Sequence, residues 1–95
     1  MNKMTGQQVG YIRVSSIDQN TIRQLDGISL SKTFIEKLSG KDTKRPILQD
    51  CLAYIRQGDT LHVHSIDRLA RNAKDLLNLV EQILMKGATV SFNKN

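Results

Sequence analysis

The run from Gln8 to Val14 constrains this chain more than any other stretch. It packs Val9, Tyr11, Ile12 and Val14 into a short window, which suits a strand buried on both faces better than one half in solvent. Such a strand needs a covering layer on either side, and that need points to a sheet inside an α/β domain. The same run carries Arg13 and hands over to Ser15 and Ser16, then to the polar residues Asp18, Gln19, Asn20 and Thr21. A strand that ends in hydroxyl residues and restarts as a helix marks the carboxyl edge of an open sheet, where these folds place their ligand sites. Ser15 and Ser16, with Arg13 beside them, are therefore the first candidates for chemistry.

The remaining pattern supplies the partners of that strand. Thr21, Ile22 and Leu25 begin a brief helical spacing that Gly27 cuts short. Lys32 to Leu38 sets Thr33, Ile35 and Lys37 opposite Phe34, Glu36 and Leu38 and reads as a second strand. A polar, basic loop from Ser39 to Arg45 leads to Pro46, which a first helical turn tolerates because its missing N–H is unneeded there. Ile47, Leu48, Cys51, Leu52 and Ile55 then form the apolar stripe of a helix that stops at Gly58. Asp59 to Ser65 is a third strand, with Leu61 and Val63 on one side and His62 and His64 on the other. Ser65 or Asp67 caps a long amphipathic helix, traced by Ile66, Leu69, Ala70, Ala73, Leu76, Leu77, Val80, Ile83 and Leu84 as far as Gly87. Ala88 to Phe92 is a fourth strand. The alternation predicts an α/β fold in three layers, a mainly parallel sheet with helices on both faces and right-handed crossovers.

A chain of 95 residues can bury one core, so residues 1–95 read as a single domain. The formal charge of +5 favours a polyanionic partner such as nucleic acid. Cys51 is the single cysteine, which excludes an internal disulfide and removes any argument for an oxidising compartment. No apolar run approaches a membrane span and the first residues are not signal-like, so the expected location is the cytoplasm. Cys51 itself falls on an apolar stripe and reads as core. His62 and His64 share a strand face but lack a third ligand at recognisable spacing, so they read as packing residues and no metal is expected.

The chemistry gathers at the start of the predicted long helix. Asp67 and Arg71 are four apart, and Arg68 and Arg71 three apart, so all three are expected to crowd its first turn and a half. If the third strand lies beside the first, the crevice between their ends collects Arg13, Ser15, Arg68 and Arg71. Several guanidiniums converging on one hydroxyl suit a phosphodiester, because their planar forks match phosphate oxygens and they stay charged at neutral pH. Such groups neutralise charge as it builds on nonbridging oxygens, so a serine could attack without a metal. Asp67 either orients Arg71 or helps to move a proton. The alternative from the same residues is a non-enzymatic α/β domain whose basic pocket only binds an anion or a partner. Isolated arginines on a helix are ordinarily surface ion-pair residues, and a serine after a strand is ordinarily a helix cap.

Taken together, Tyr11-Ile12-Arg13-Val14-Ser15-Ser16 with Asp18-Gln19, Ser39-Gly40-Lys41 with Arg45-Pro46, Gly58-Asp59, and Asp67-Arg68-Leu69-Ala70-Arg71-Asn72 resemble the catalytic domain of the serine recombinases, the resolvases and DNA invertases. The resemblance runs from about Val9 to Phe92. It implies that Ser15 attacks a DNA phosphodiester, remains joined to the 5′ end as phosphoserine and releases a 3′ hydroxyl, with no cofactor. It further implies that Arg13, Arg68 and Arg71 grip the scissile phosphate beside Asp67, that Gln19 lines the same pocket, and that Ser39 and Arg45 support it. Ser16 is a neighbour and not the nucleophile.

The resemblance also implies double-stranded DNA as partner, a homodimer and synaptic tetramer in the intact protein, and no membrane. Relatives continue past the fourth strand into another strand, a dimerisation helix and a helix-turn-helix domain. We expect 95 residues to be a fragment without these parts, and to bind DNA weakly and without sequence preference.

Overall fold

The computed structural model describes residues 6–14, 25, 27–37 and 44–93. Four strands, β1 (Gln8–Val14), β2 (Lys32–Lys37), β3 (Thr60–Val63) and β4 (Thr89–Phe92), form one sheet in the order β2-β1-β3-β4. Every pairing is parallel, with Tyr11 opposite Phe34 of β2 and Val63 of β3, and Val63 in turn opposite Phe92 of β4. The first strand is central, as its double-sided apolar pattern requires, and Val9, Tyr11 and Ile12 are all fully buried. Alternation sends these side chains to opposite faces.

One face carries the main core. Val9, Tyr11, Leu61 and Val63 pack against helix α1 (Pro46–Tyr54) through Leu48, Cys51 and Leu52, and against the following helices through Leu69, Leu79 and Ile83. Every helix among the described residues lies on this face. The other face holds Gly10 and Ile12, and the side chains of Leu25 and Leu30 come so close to Gly10 that a β-carbon there would meet them at 2.8 and 2.6 Å. Glycine lets the covering segment approach the central strand. The brief helix expected from Thr21 lies, apart from Leu25, outside the described residues.

The long helix expected from Ile66 to Leu84 is two helices. The first, α2 (Ile66–Leu69), ends at Ala70, whose φ of −125° and ψ of 152° are extended; the second, α3 (Ala73–Met85), begins after Asn72, also extended. The side chain of Asn72 accepts the Asp75 N–H at 2.8 Å, an N-cap that starts a new helix in mid-pattern. Leu69, Ala70 and Ala73 preserve the apolar spacing across the break, so periodicity alone hides it. Ser65 does stand at the N-cap of α2, but its hydroxyl donates to the Asp67 carboxylate at 2.6 Å and accepts no N–H of the helix.

Smaller differences lie at element ends. The third strand is shorter than the Asp59–Ser65 run expected, because Asp59 serves as a turn acceptor for the N–H groups of Gln7 at 2.8 Å and Arg56 at 2.9 Å. Helix α1 ends at Tyr54, ahead of Gly58, where a φ of +89° makes the turn into β3.

Candidate active site

Strands β1 and β3 lie side by side and parallel, so their carboxyl ends open on the same edge of the sheet. Arg13 is the penultimate residue of β1 and shares the core face with Val9 and Tyr11. Its Nη2 donates to the main-chain carbonyl of Asp67 in α2. In return, Nη1 of Arg68 donates to the main-chain carbonyl of Arg13 at 3.4 Å. Two arginines 55 residues apart are thus brought together at the carboxyl end of β1. The Nε of Arg13 is enclosed and has no hydrogen-bond partner among the described residues.

A second arginine pair meets at the break between α2 and α3. Nη1 of Arg45 donates to the carbonyl of Leu69, the last residue of α2, while its Nη2 donates to Oδ2 of Asp75 at 2.8 Å. The same Oδ2 accepts the main-chain N–H of Arg71 at 3.0 Å and lies 3.9 Å from its Nε. Burial opposes the charge on Asp75, yet the Arg71 N–H, the Arg45 guanidinium and both positive charges outweigh it and hold the carboxyl below its ordinary value. Arg71 is half exposed, and with Lys44, Arg45, Pro46 and Gln49 it lines a depression of about 520 Å³. On its other side, Asp67, Ala70, Arg71 and Asn72 line a neighbouring depression of about 440 Å³.

What places Arg45 is a buried carboxylate. Glu36 of β2, 1% exposed, accepts the Tyr11 hydroxyl at 2.7 Å and the N–H groups of Ile47 and Leu48 at 2.8 and 3.0 Å. Arg45, at the N-cap position of α1, makes no side-chain cap bond of its own. The cap comes from the neighbouring strand and leaves the guanidinium free to cross to α2 and α3. Burial and the bond to Glu36 push the Tyr11 hydroxyl well above its ordinary value, so it stays a donor.

Of the site residues read from the sequence, Arg13, Asp67 and Arg68 are brought together, and Arg45 and Arg71 are joined through Asp75. Ser15, Gln19 and Ser39 lie outside the described residues. Arg71 does not share a helical turn with Asp67 and Arg68, because the backbone straightens at Ala70. Two residues escaped the sequence analysis. Asp75 had a signal in its spacing, four residues after Arg71 and three after Asn72. Glu36 had none, since its partners lie on other elements.

The other candidates are structural. Cys51 is fully buried, and burial pushes its thiol up to about 12. His62 pairs through Nε2 with Gln8 at 2.6 Å and through Nδ1 with Asn93 at 3.3 Å; burial lowers its pKa despite the Asn93 bond. Among the described residues no group of three or more His, Cys, Asp or Glu side chains is arranged to hold a metal ion, and no helix is long and apolar enough to cross a membrane.

The family model described as Resolvase, N terminal domain, matches residues 8–95. The chain belongs to the resolvase family. This resolvase domain is 52% identical over 91 residues to the Transposon Tn501 resolvase of Pseudomonas aeruginosa, which covers 96% of this chain and 49% of that protein. It is 42% identical over 83 residues to the DNA-invertase hin of Salmonella typhimurium, covering 84% of this chain and 44% of that one. The resolvase domain therefore spans about half the length of these curated relatives. In fold it is similar to the C-terminal catalytic domain of ISC1926 TnpA, an IS607-like serine recombinase, with a TM-score of 0.71 at 21% identity over 93% of this chain and 69% of that one. A serine recombinase from Sulfolobus solfataricus gives a TM-score of 0.69 at 19% identity, covering 94% and 71% of the two chains. The expected three-layer, parallel α/β architecture is thus that of a serine recombinase catalytic domain.

Proposed function

We propose that this domain cuts and rejoins DNA as the catalytic part of a serine site-specific recombinase, with Ser15 as the nucleophile. In the forward step Oγ of Ser15 bonds to the scissile phosphorus and gives up its proton, while the bond from phosphorus to the 3′ oxygen breaks and that oxygen takes up a proton. The products are a phosphoserine on the 5′ end and a free 3′ hydroxyl. The reverse step on an exchanged strand reseals the DNA, and the covalent link conserves the bond energy, so no high-energy cofactor takes part.

The observation that carries this reading is the meeting of Arg13 and Arg68 at the end of β1, one residue short of Ser15. Guanidiniums in that position stay charged at neutral pH and offer planar forks to the nonbridging oxygens as charge develops on them. The enclosed Nε of Arg13 is a donor without a hydrogen-bond partner among the described residues, and a phosphate oxygen is an acceptor of the right kind. Arg45 and Arg71 extend the positive surface, and Asp67 accepts the Ser65 hydroxyl at the start of α2; Gln19 and Ser39 are assigned to the pocket by the family resemblance.

The relatives' names speak of a transposon resolvase and a DNA-invertase, which supports duplex DNA as substrate. Action by a dimer, and by a synapsed pair of dimers, belongs to the same proposal. The test is to incubate the complete protein with a supercoiled plasmid carrying the DNA that flanks its own gene and to stop with detergent. A covalent protein–DNA adduct that disappears in Ser15→Ala is expected. An adduct that persists in Ser15→Ala overturns the nucleophile, and DNA binding with no adduct favours the anion-binding reading.

A further inference from the structure

We infer that Asp75 is a positioning residue for the phosphate-gripping arginines, acting through Arg45 and the main chain of Arg71; this rests on the reading of Arg68 and Arg71 given above. The backbone from Ala70 to Asn72 is extended at both ends and belongs to neither helix. Side-chain ties must therefore set how α2 sits against α3. Those ties run through one carboxylate oxygen, Oδ2 of Asp75, which holds the Arg71 N–H at 3.0 Å and Arg45 Nη2 at 2.8 Å.

Arg45 continues the brace to the Leu69 carbonyl, so a single guanidinium and a single carboxylate clasp the break from both sides. Leu69 follows Arg68 directly, and whatever fixes the end of α2 also fixes the reach of Arg68 to the Arg13 carbonyl. The clasp is sheltered: the Arg45 side chain is 8% exposed and that of Asp75 18%, which excludes much of the solvent screening that weakens surface pairs. A role confined to capping α3 needs only the Asn72 side chain on the Asp75 N–H, and it leaves the two arginine bonds unexplained.

The experiment uses Asp75→Asn and Asp75→Ala in the complete protein. Asparagine keeps the volume and an acceptor for the Arg71 N–H but loses the charge that holds Arg45. Displaced arginines are expected to slow adduct formation at saturating DNA by about 10- to 100-fold in Asp75→Asn, while DNA affinity changes by less than about threefold. In the absence of DNA, Asp75→Ala is expected to speed hydrogen exchange of the Arg71 amide by about tenfold or more, with the Leu79 amide in the middle of α3 unchanged. Adduct formation at the wild-type rate in both variants, or an Arg71 amide that exchanges as in wild type, overturns the inference. If the wild-type protein itself forms no adduct, the Ser15 chemistry fails, and the exchange measurement still decides whether Asp75 holds Arg71.

Discussion

Arg68 spans 55 residues of sequence to donate a hydrogen bond to the main-chain carbonyl of Arg13, and Arg13 donates in turn to the main chain of Asp67. Each arginine is held by the other's neighbourhood, and neither spends its positive charge on a carboxylate in doing so. Both guanidiniums are thereby brought to the end of β1, where their charge can act on an anion.

The Arg68–Arg13 bond is long, 3.4 Å against a mode near 2.9 Å, so it contributes little to stability. Arg68→Ala is expected to leave the melting temperature within about 2 °C of wild type. Adduct formation should fall by about 100- to 1,000-fold, the cost of removing one donor that meets developing charge. Arg68→Lys keeps a charge but loses the fork, and its rate should fall between the two. Thermal melts beside timed adduct assays make the comparison.

Glu36 acts on stability and, through α1, on Arg45. Replacing it with alanine strands the Tyr11 hydroxyl and the N–H groups of Ile47 and Leu48 in a buried setting. The expected loss is about 3 kcal/mol in urea titration, and about 1 kcal/mol for Glu36→Gln, which retains one acceptor oxygen.

Asn72→Ala removes the cap that starts α3 and should cost about 1 kcal/mol, seen as a fall of about 4–8 °C in melting temperature. A loss no larger than for an exposed helix position such as Lys74→Ala would mean that the break between α2 and α3 does not depend on the cap.

Alkaline pH should weaken the fold through Cys51 and Tyr11. Both groups have folded values raised above their ordinary 9.0 and 10.0, by burial first and, for Tyr11, by Glu36 as well. Their contribution is whole below about pH 9, and it is lost as pH climbs toward the folded value of Cys51, about 12. Urea titrations between pH 8 and 12 should show a shallower decline for Cys51→Ala than for wild type.

The architecture was legible where apolar pattern and turn chemistry agree. Val9 to Val14 announced the central strand, Pro46 the start of α1, and the alternation of elements the parallel sheet. The break at Ala70 was not legible, because Leu69, Ala70 and Ala73 stay in helical phase and neither glycine nor proline interrupts them. Asn72 was the overlooked signal, since an asparagine three residues before an acidic residue can open a helix in the middle of a pattern. The site was legible as a set of arginines but not as a network. A buried Glu36 or a shared Asp75 oxygen follows from tertiary neighbours, which local spacing does not encode.

The most direct measurement is to trap the covalent intermediate, digest both protein and DNA, and locate the modified residue by mass spectrometry. The account predicts a nucleotide joined through phosphate to Ser15, with the phosphate at the 5′ end of the cleaved strand. Modification at Ser16 or any other residue, or a linkage to the 3′ end, would contradict it.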